Sequence, residues 1–75
     1  MSVDKKDQQY LKRLGAALRA LRKEKGWSLY QAEEHGFHDW KILQKIESGR
    51  NITMATLLRL SELYGKKPWE ILKDV

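Results

Sequence analysis

Glycines at positions 26, 36, 49 and 65 divide this chain into stretches whose apolar residues recur every three or four positions, with no strand-like alternation. Such spacing calls for short helices, because one helical face repeats at 3.6 residues whereas a half-buried strand repeats at two. A glycine just beyond a periodic stretch is a usual place for a helix to stop. Leu11, Leu14, Leu18 and Leu21, with Ala17 beside them, predict a first helix over about 8–25, ended by Gly26. Ser28 is an N-cap residue for a second helix over 29–35, and Gln31 three positions later completes a capping box. Asp39 caps a third helix over 40–47, whose Leu43 and Ile46 face inward; Ser48 and Gly49 end it. After the loop Arg50-Asn51-Ile52, Thr53 caps a fourth helix over 54–64, with Leu57, Leu60 and Tyr64 on one face. Pro68 suits the first turn of a fifth helix over 68–73, where its missing N–H would have had no partner. Gly15 lies inside the first helix instead of at an end. Glycine there costs about 1 kcal/mol against alanine, and a close approach by a second helix is the reason to expect it. The expectation is an all-α fold, a compact bundle of five helices.

A chain of 75 residues makes one domain. It buries only about 60% of its unfolded surface, so its core has to be economical. With no cysteine, neither disulfides nor thiolate metal sites reinforce it. The organisation expected is a polar N-terminal arm over 1–8 followed by a helical domain over 9–75. The opening residues lack the apolar region of a signal peptide, and no apolar run approaches the ~20 residues of a membrane span. The expected location is therefore cytoplasmic, with no membrane partner.

A net charge of +5 and a pI near 9.6 suit a polyanion partner. The charge is uneven. Residues 1–25 hold eight basic and three acidic side chains, whereas residues 26–50 hold three and four. The surplus thus lies on the first helix. His35 and His38 stand beside Glu34 and Asp39, but no further ligand falls at useful spacing, so a surface pair is expected and not a zinc site. No phosphate-binding glycine loop or nucleophile motif occurs. The chain is expected to be no enzyme and to use no cofactor or metal.

Two short helices joined by a glycine-containing turn, over about 28–47, form a unit that DNA-binding proteins use. The string Leu43-Gln44-Lys45-Ile46-Glu47-Ser48-Gly49-Arg50 closes the third helix; Thr56-Leu57-Leu58-Arg59-Leu60 follows, and Gly65 precedes Pro68. With Ser28 at its spacing from these, the arrangement resembles the XRE family of helix-turn-helix transcriptional regulators, which includes lambdoid phage repressors, Cro and restriction–modification controller proteins. The resemblance spans residues 11–72 and implies a lambda-repressor-like DNA-binding domain that docks its third helix in the major groove. It implies base-reading roles for Trp40, Lys41 and Lys45, with Gln44 beside them. Lysine can donate to guanine O6 and N7, glutamine can pair with the adenine edge, and tryptophan can cover a thymine methyl. The plainer alternatives are a Trp40 packed on its neighbour, lysines touching phosphate only, and Gln44 as ordinary surface.

The resemblance also implies phosphate contacts at Arg50, Asn51 and Thr53, which would set register without reading sequence. Ser28 and, more weakly, Tyr30 are further phosphate candidates, although Ser28, Asn51 and Thr53 can equally serve as caps and turns. Arg22 and Glu47 fall where several family members pair an arginine and a glutamate between the first and third helices. Trp69 is a candidate dimer contact, or else a cover for the small core. The function implied is a regulator that binds double-stranded DNA as a homodimer on a two-fold site. The alternative is a protein-interaction module on the same fold, such as an antitoxin or adaptor with no operator of its own.

Three positions depart from the family pattern. Leu29 stands where a phosphate-touching glutamine is common, and Glu33 where the motif helices cross and a small residue is preferred. Phe37 stands where the turn glycine usually falls. A phenylalanine at positive φ would be strained. The second helix is therefore expected to end one residue early, with Gly36 left-handed and Phe37 filling the core.

Overall fold

A computed structural model describes residues 4–73 and residue 75, and among these it contains five helices and no strand. The helices are α1 (Lys5–Glu24), α2 (Leu29–Glu34), α3 (Trp40–Glu47), α4 (Met54–Tyr64) and α5 (Pro68–Leu72). The molecule measures 33 × 24 × 19 Å. No described helix is long and apolar enough to cross a membrane.

Each cap predicted from side-chain chemistry is present. Ser28 Oγ accepts from the Gln31 amide at 3.1 Å while Gln31 Oε1 accepts from the Ser28 amide at 2.8 Å. Asp39 Oδ1 accepts from the Lys41 amide at 2.8 Å, and Thr53 Oγ1 from the Thr56 amide at 3.1 Å. Pro68 opens α5, where Glu70 reaches back to accept from the Lys67 amide at 2.8 Å.

The first boundary differs from expectation. Helix α1 starts at Lys5, because Asp4 Oδ1 accepts from the Asp7 amide at 2.9 Å and caps it there. Residues 5–8 of the expected arm are therefore helical, and residues 1–3 lie outside the described residues. That turn is exposed and polar all round, so it carries no apolar periodicity to announce it. At the other ends the helices stop slightly sooner than predicted, with Lys25, His35 and Lys73 as C-caps.

The turn after α2 follows the displaced register. Gly36 has φ 134°, no non-glycine among the described residues has positive φ, and Phe37 is buried. The Gly36 amide donates to the Glu33 carbonyl at 3.1 Å and the Phe37 amide to the Ala32 carbonyl at 3.1 Å. These paired bonds satisfy the Ala32 and Glu33 carbonyls, and Phe37 joins Ala32 in the core. Ala32, fully buried, is thus the small inward residue of α2, and Glu33 is free to point elsewhere.

Around Phe37 the core gathers Leu14 and Leu18 of α1, Leu43 and Ile46 of α3, Leu57, Leu60 and Tyr64 of α4, and Ile71 of α5. Helix α1 packs on α3, α4 and α5, while α2 packs on α3. Gly15 sets the α1–α3 distance. A Cβ there would lie 2.5 Å from the Ile46 carbonyl oxygen and 2.6 Å from that of Glu47. Only a residue without a side chain lets the two backbones meet so closely.

Candidate nucleic-acid interface

Helix α3 has eight residues and buries Leu43 and Ile46, which turns the opposite side outward. Lys41, Gln44, Lys45 and Ser48, at helical steps of three, one and three, all lie exposed on that side. Among the described residues, the side chains of Lys41, Gln44 and Lys45 make no hydrogen bond within the fold. The helix thus presents two cations and an amide to whatever meets it.

Trp40 stands at the edge of this stripe. It is half-buried, and its ring centroid lies 4.7 Å from that of Tyr30 at an interplanar angle of 48°. The packing alternative considered for Trp40 is therefore the observed one, and its partner is Tyr30, itself 58% exposed. The pair forms one aromatic ridge between α2 and α3.

The amide of Trp40 donates to Glu33 Oε1 at 3.2 Å, so Glu33 caps α3 from the neighbouring helix. Glu33 is thus exposed and bonded to α3, while Ala32 is the buried residue of α2. Together Glu33 and Asp39 place two carboxylates at the N-terminus of α3, where they suit the positive end of the helix dipole. They also make that end less welcoming to phosphate. Leu29, the other misfit, is partly buried against the core.

Ser28, Asn51 and Thr53 each commit a side-chain oxygen locally. Ser28 and Thr53 cap their helices, and Asn51 Oδ1 accepts from the Ile52 amide at 2.9 Å. Thr53 Oγ1 also donates to Thr56 Oγ1 at 2.9 Å. Arg50 is different: its amide donates to the Lys45 carbonyl at 3.0 Å and its guanidinium side chain is exposed.

Arg22 and Glu47 join α1 to α3. Arg22 Nε donates to Glu47 Oε2 at 2.8 Å and Nη2 to Oε1 at 2.9 Å, while Nη1 donates to the Trp27 carbonyl at 2.7 Å. Both side chains are more than nine-tenths buried. The hydrogen bond to Glu47 raises the Arg22 pKa, against the burial that lowers it. The pair fixes the C-terminal end of α3 on α1. Nearby, the Tyr64 hydroxyl is buried with no hydrogen-bond partner among the described residues. Burial, aided by the Glu47 carboxylate and opposed by Arg22, pushes its pKa up to about 12.

Two cations next to the stripe are not among the expected contacts. Arg19 of α1 lines a groove with Leu29, Gln44, Glu47 and Ser48. Lys12 lies against the α3–α4 loop, where a Cβ on Gly49 would fall 2.7 Å from its Cγ. The signal was present in the seven-residue spacing of Lys5, Lys12 and Arg19.

Trp69 is 66% exposed on α5, which packs on α1 and α4, so it does not serve as a cover for the core. The His35 ring stacks on Trp27 at 4.1 Å, and His38 packs on Phe37 at 4.6 Å. Among the described residues, no three His, Cys, Asp or Glu cluster as metal ligands. No protein-family model matches the chain, and neither a curated protein nor a solved structure matches it.

Proposed function

We propose that this chain is a sequence-specific, double-stranded DNA-binding transcriptional regulator with a lambda-repressor-like helix-turn-helix. In this reading α2 and α3 are the motif, and the chain acts as a homodimer on a two-fold site. One observation carries it: the exposed stripe Lys41, Gln44, Lys45 and Ser48, on a short helix whose other side is locked in place. On a helix narrow enough for the major groove, the free donors of Lys41 and Lys45 suit the O6 and N7 acceptors of guanine, and the Gln44 amide suits the N6 and N7 edge of adenine. The Tyr30–Trp40 ridge borders the stripe and offers apolar surface for a thymine methyl. Arg50 supplies a phosphate contact beside it.

Selection of bound duplexes from a random library tests this directly. The expected result is an enriched site made of two half-sites about one helical turn, ~34 Å, apart. Lys45→Ala should relax the preference at one position, whereas Arg50→Ala should weaken all sequences alike. Uniform loss in both variants would remove the base-reading assignment.

A second reading, a protein-interaction module on the same fold, draws on the two carboxylates that cap α3 and on the local commitments of Ser28, Asn51 and Thr53. Absence of binding to random duplex at micromolar protein and low salt would favour it.

A further inference from the structure

The proposed DNA contacts lie on α3 and the loop that follows, yet most of the net charge lies on α1. Eight of the fifteen basic residues fall within positions 1–25, and Arg22, one of those eight, is neutralised by Glu47. The placement of the others is not random. Lys5, Lys12 and Arg19 follow one another at seven-residue steps, which drift only ~20° per step around a helix. Lys23, four residues beyond Arg19, continues the same line. All four are exposed, and among the described residues no carboxylate pairs with any of them. Eighteen residues of helix make this line about 27 Å long.

The line borders the candidate interface. Near its middle, Lys12 abuts the loop at Gly49, next to Arg50. Further on, Arg19 shares a groove with Gln44 of α3 and its C-cap Ser48, and with Lys23 it borders a wider one walled by Ser28 and Tyr30. Lys12 therefore adjoins the α3–α4 loop, and Arg19 the α3 stripe, with the neutralised Arg22–Glu47 pair lining the same groove as Arg19.

We infer that α1 is a second DNA-binding track, in which Lys12 and Arg19, extended by Lys5 and Lys23, bind the phosphates of the strand flanking the groove read by α3. The inference rests on the DNA-binding reading and adds a contact surface outside the helix-turn-helix. Lys5, Lys12 and Arg19 stand ~10 Å apart along the helix and Arg19 and Lys23 ~6 Å, against 3.4 Å per nucleotide along a DNA strand, so each meets a different phosphate. Such contacts read no bases. They raise affinity for every sequence and steepen its dependence on salt.

Two double variants of the full chain test this with equal change in charge. Lys12→Gln/Arg19→Gln removes two cations of the line; Lys6→Gln/Arg13→Gln removes two from another side of the same helix. Each lowers the net charge from +5 by two. Binding to one fixed duplex is titrated by polarisation across salt concentrations. The line variant loses two phosphate contacts per protomer and four per proposed homodimer, so the dimer's slope of log K against log[salt] should flatten by about 4, at ~0.9 per phosphate lost, with its sequence preference kept. The control should leave the slope near that of the parent. Arg19→Gln alone, which spares the packing of Lys12 on Gly49, should flatten it by about 2, one contact per protomer. An unchanged slope in the line variants, or equal losses in line and control variants, would overturn the inference. If the parent binds duplex and Lys45→Gln weakens it while the line variants do not, the inference fails and the functional reading stands. If the parent binds no duplex at low salt, both fall.

Discussion

At the scale of single residues, three positions give separable tests of how this small core holds. Gly15 is the sharpest. Alanine would improve helix propensity by about 1 kcal/mol, yet its Cβ would lie 2.5 Å from a backbone carbonyl oxygen that has nowhere to retreat. Gly15→Ala is therefore expected to lower stability by about 1–3 kcal/mol in urea unfolding, as overpacking does. Glu47→Ala leaves the Arg22 guanidinium buried without its carboxylate, a loss of about 3–5 kcal/mol, and an unchanged melting temperature would contradict the buried pair. Tyr64 gives a pH signature. Its hydroxyl ionises near 10 when unfolded and near 12 when folded, so its contribution is complete below pH 10 and declines as pH rises towards 12. Tyr64→Phe should remove that alkaline component from the pH dependence of stability, and at neutral pH it should not destabilise, since the hydroxyl has no partner to lose.

Helices report what local chemistry makes legible. Caps at Ser28, Asp39 and Thr53 could be read directly because each needs one residue type beside one periodic stretch. The end of α2 could be read as well, since Phe37 cannot take the positive φ that Gly36 takes. The Asp4 cap was hidden by a wholly polar first turn. The Glu33 cap of α3 was hidden for another reason: it spans seven residues and two helices, so it exists only once the turn has been built. The same limit explains why Tyr30 could be assigned only to phosphate, when its nearest partner is the Trp40 ring. Glu33→Gln isolates the cap electrostatically. Its oxygen can still accept from the Trp40 amide, while one carboxylate leaves the N-terminus of α3. On the DNA-binding reading, affinity for duplex should rise several-fold with the melting temperature little changed; weaker binding would place Glu33 in direct base contact.

Over the whole molecule, the distribution of charge and of exposed apolar surface become the informative features. Net charge could be counted from the chain, but its bearing on the site could not, because the adjacency of Arg19 to Gln44 arises only when α1 crosses α3. Trp69, 66% exposed with Leu72 also exposed on α5, is the position at which the proposed homodimer is best tested. Trp69→Glu should shift sedimentation towards the monomer and weaken binding to a two-fold site more than to a half-site. Equal sedimentation of parent and variant would place the dimer contact elsewhere.

The independence of the α3 stripe from the fold has a consequence for variation. The elements that hold α3 are Gly15, the Arg22–Glu47 pair, Leu43 and Ile46, and none of them is a residue of the outward stripe. Positions 41, 44 and 45 can therefore be randomised together with the scaffold left untouched. A library at these three sites should melt within a narrow temperature band while its surface chemistry ranges freely, so new specificities would lie a few substitutions away without passing through an unfolded neighbour.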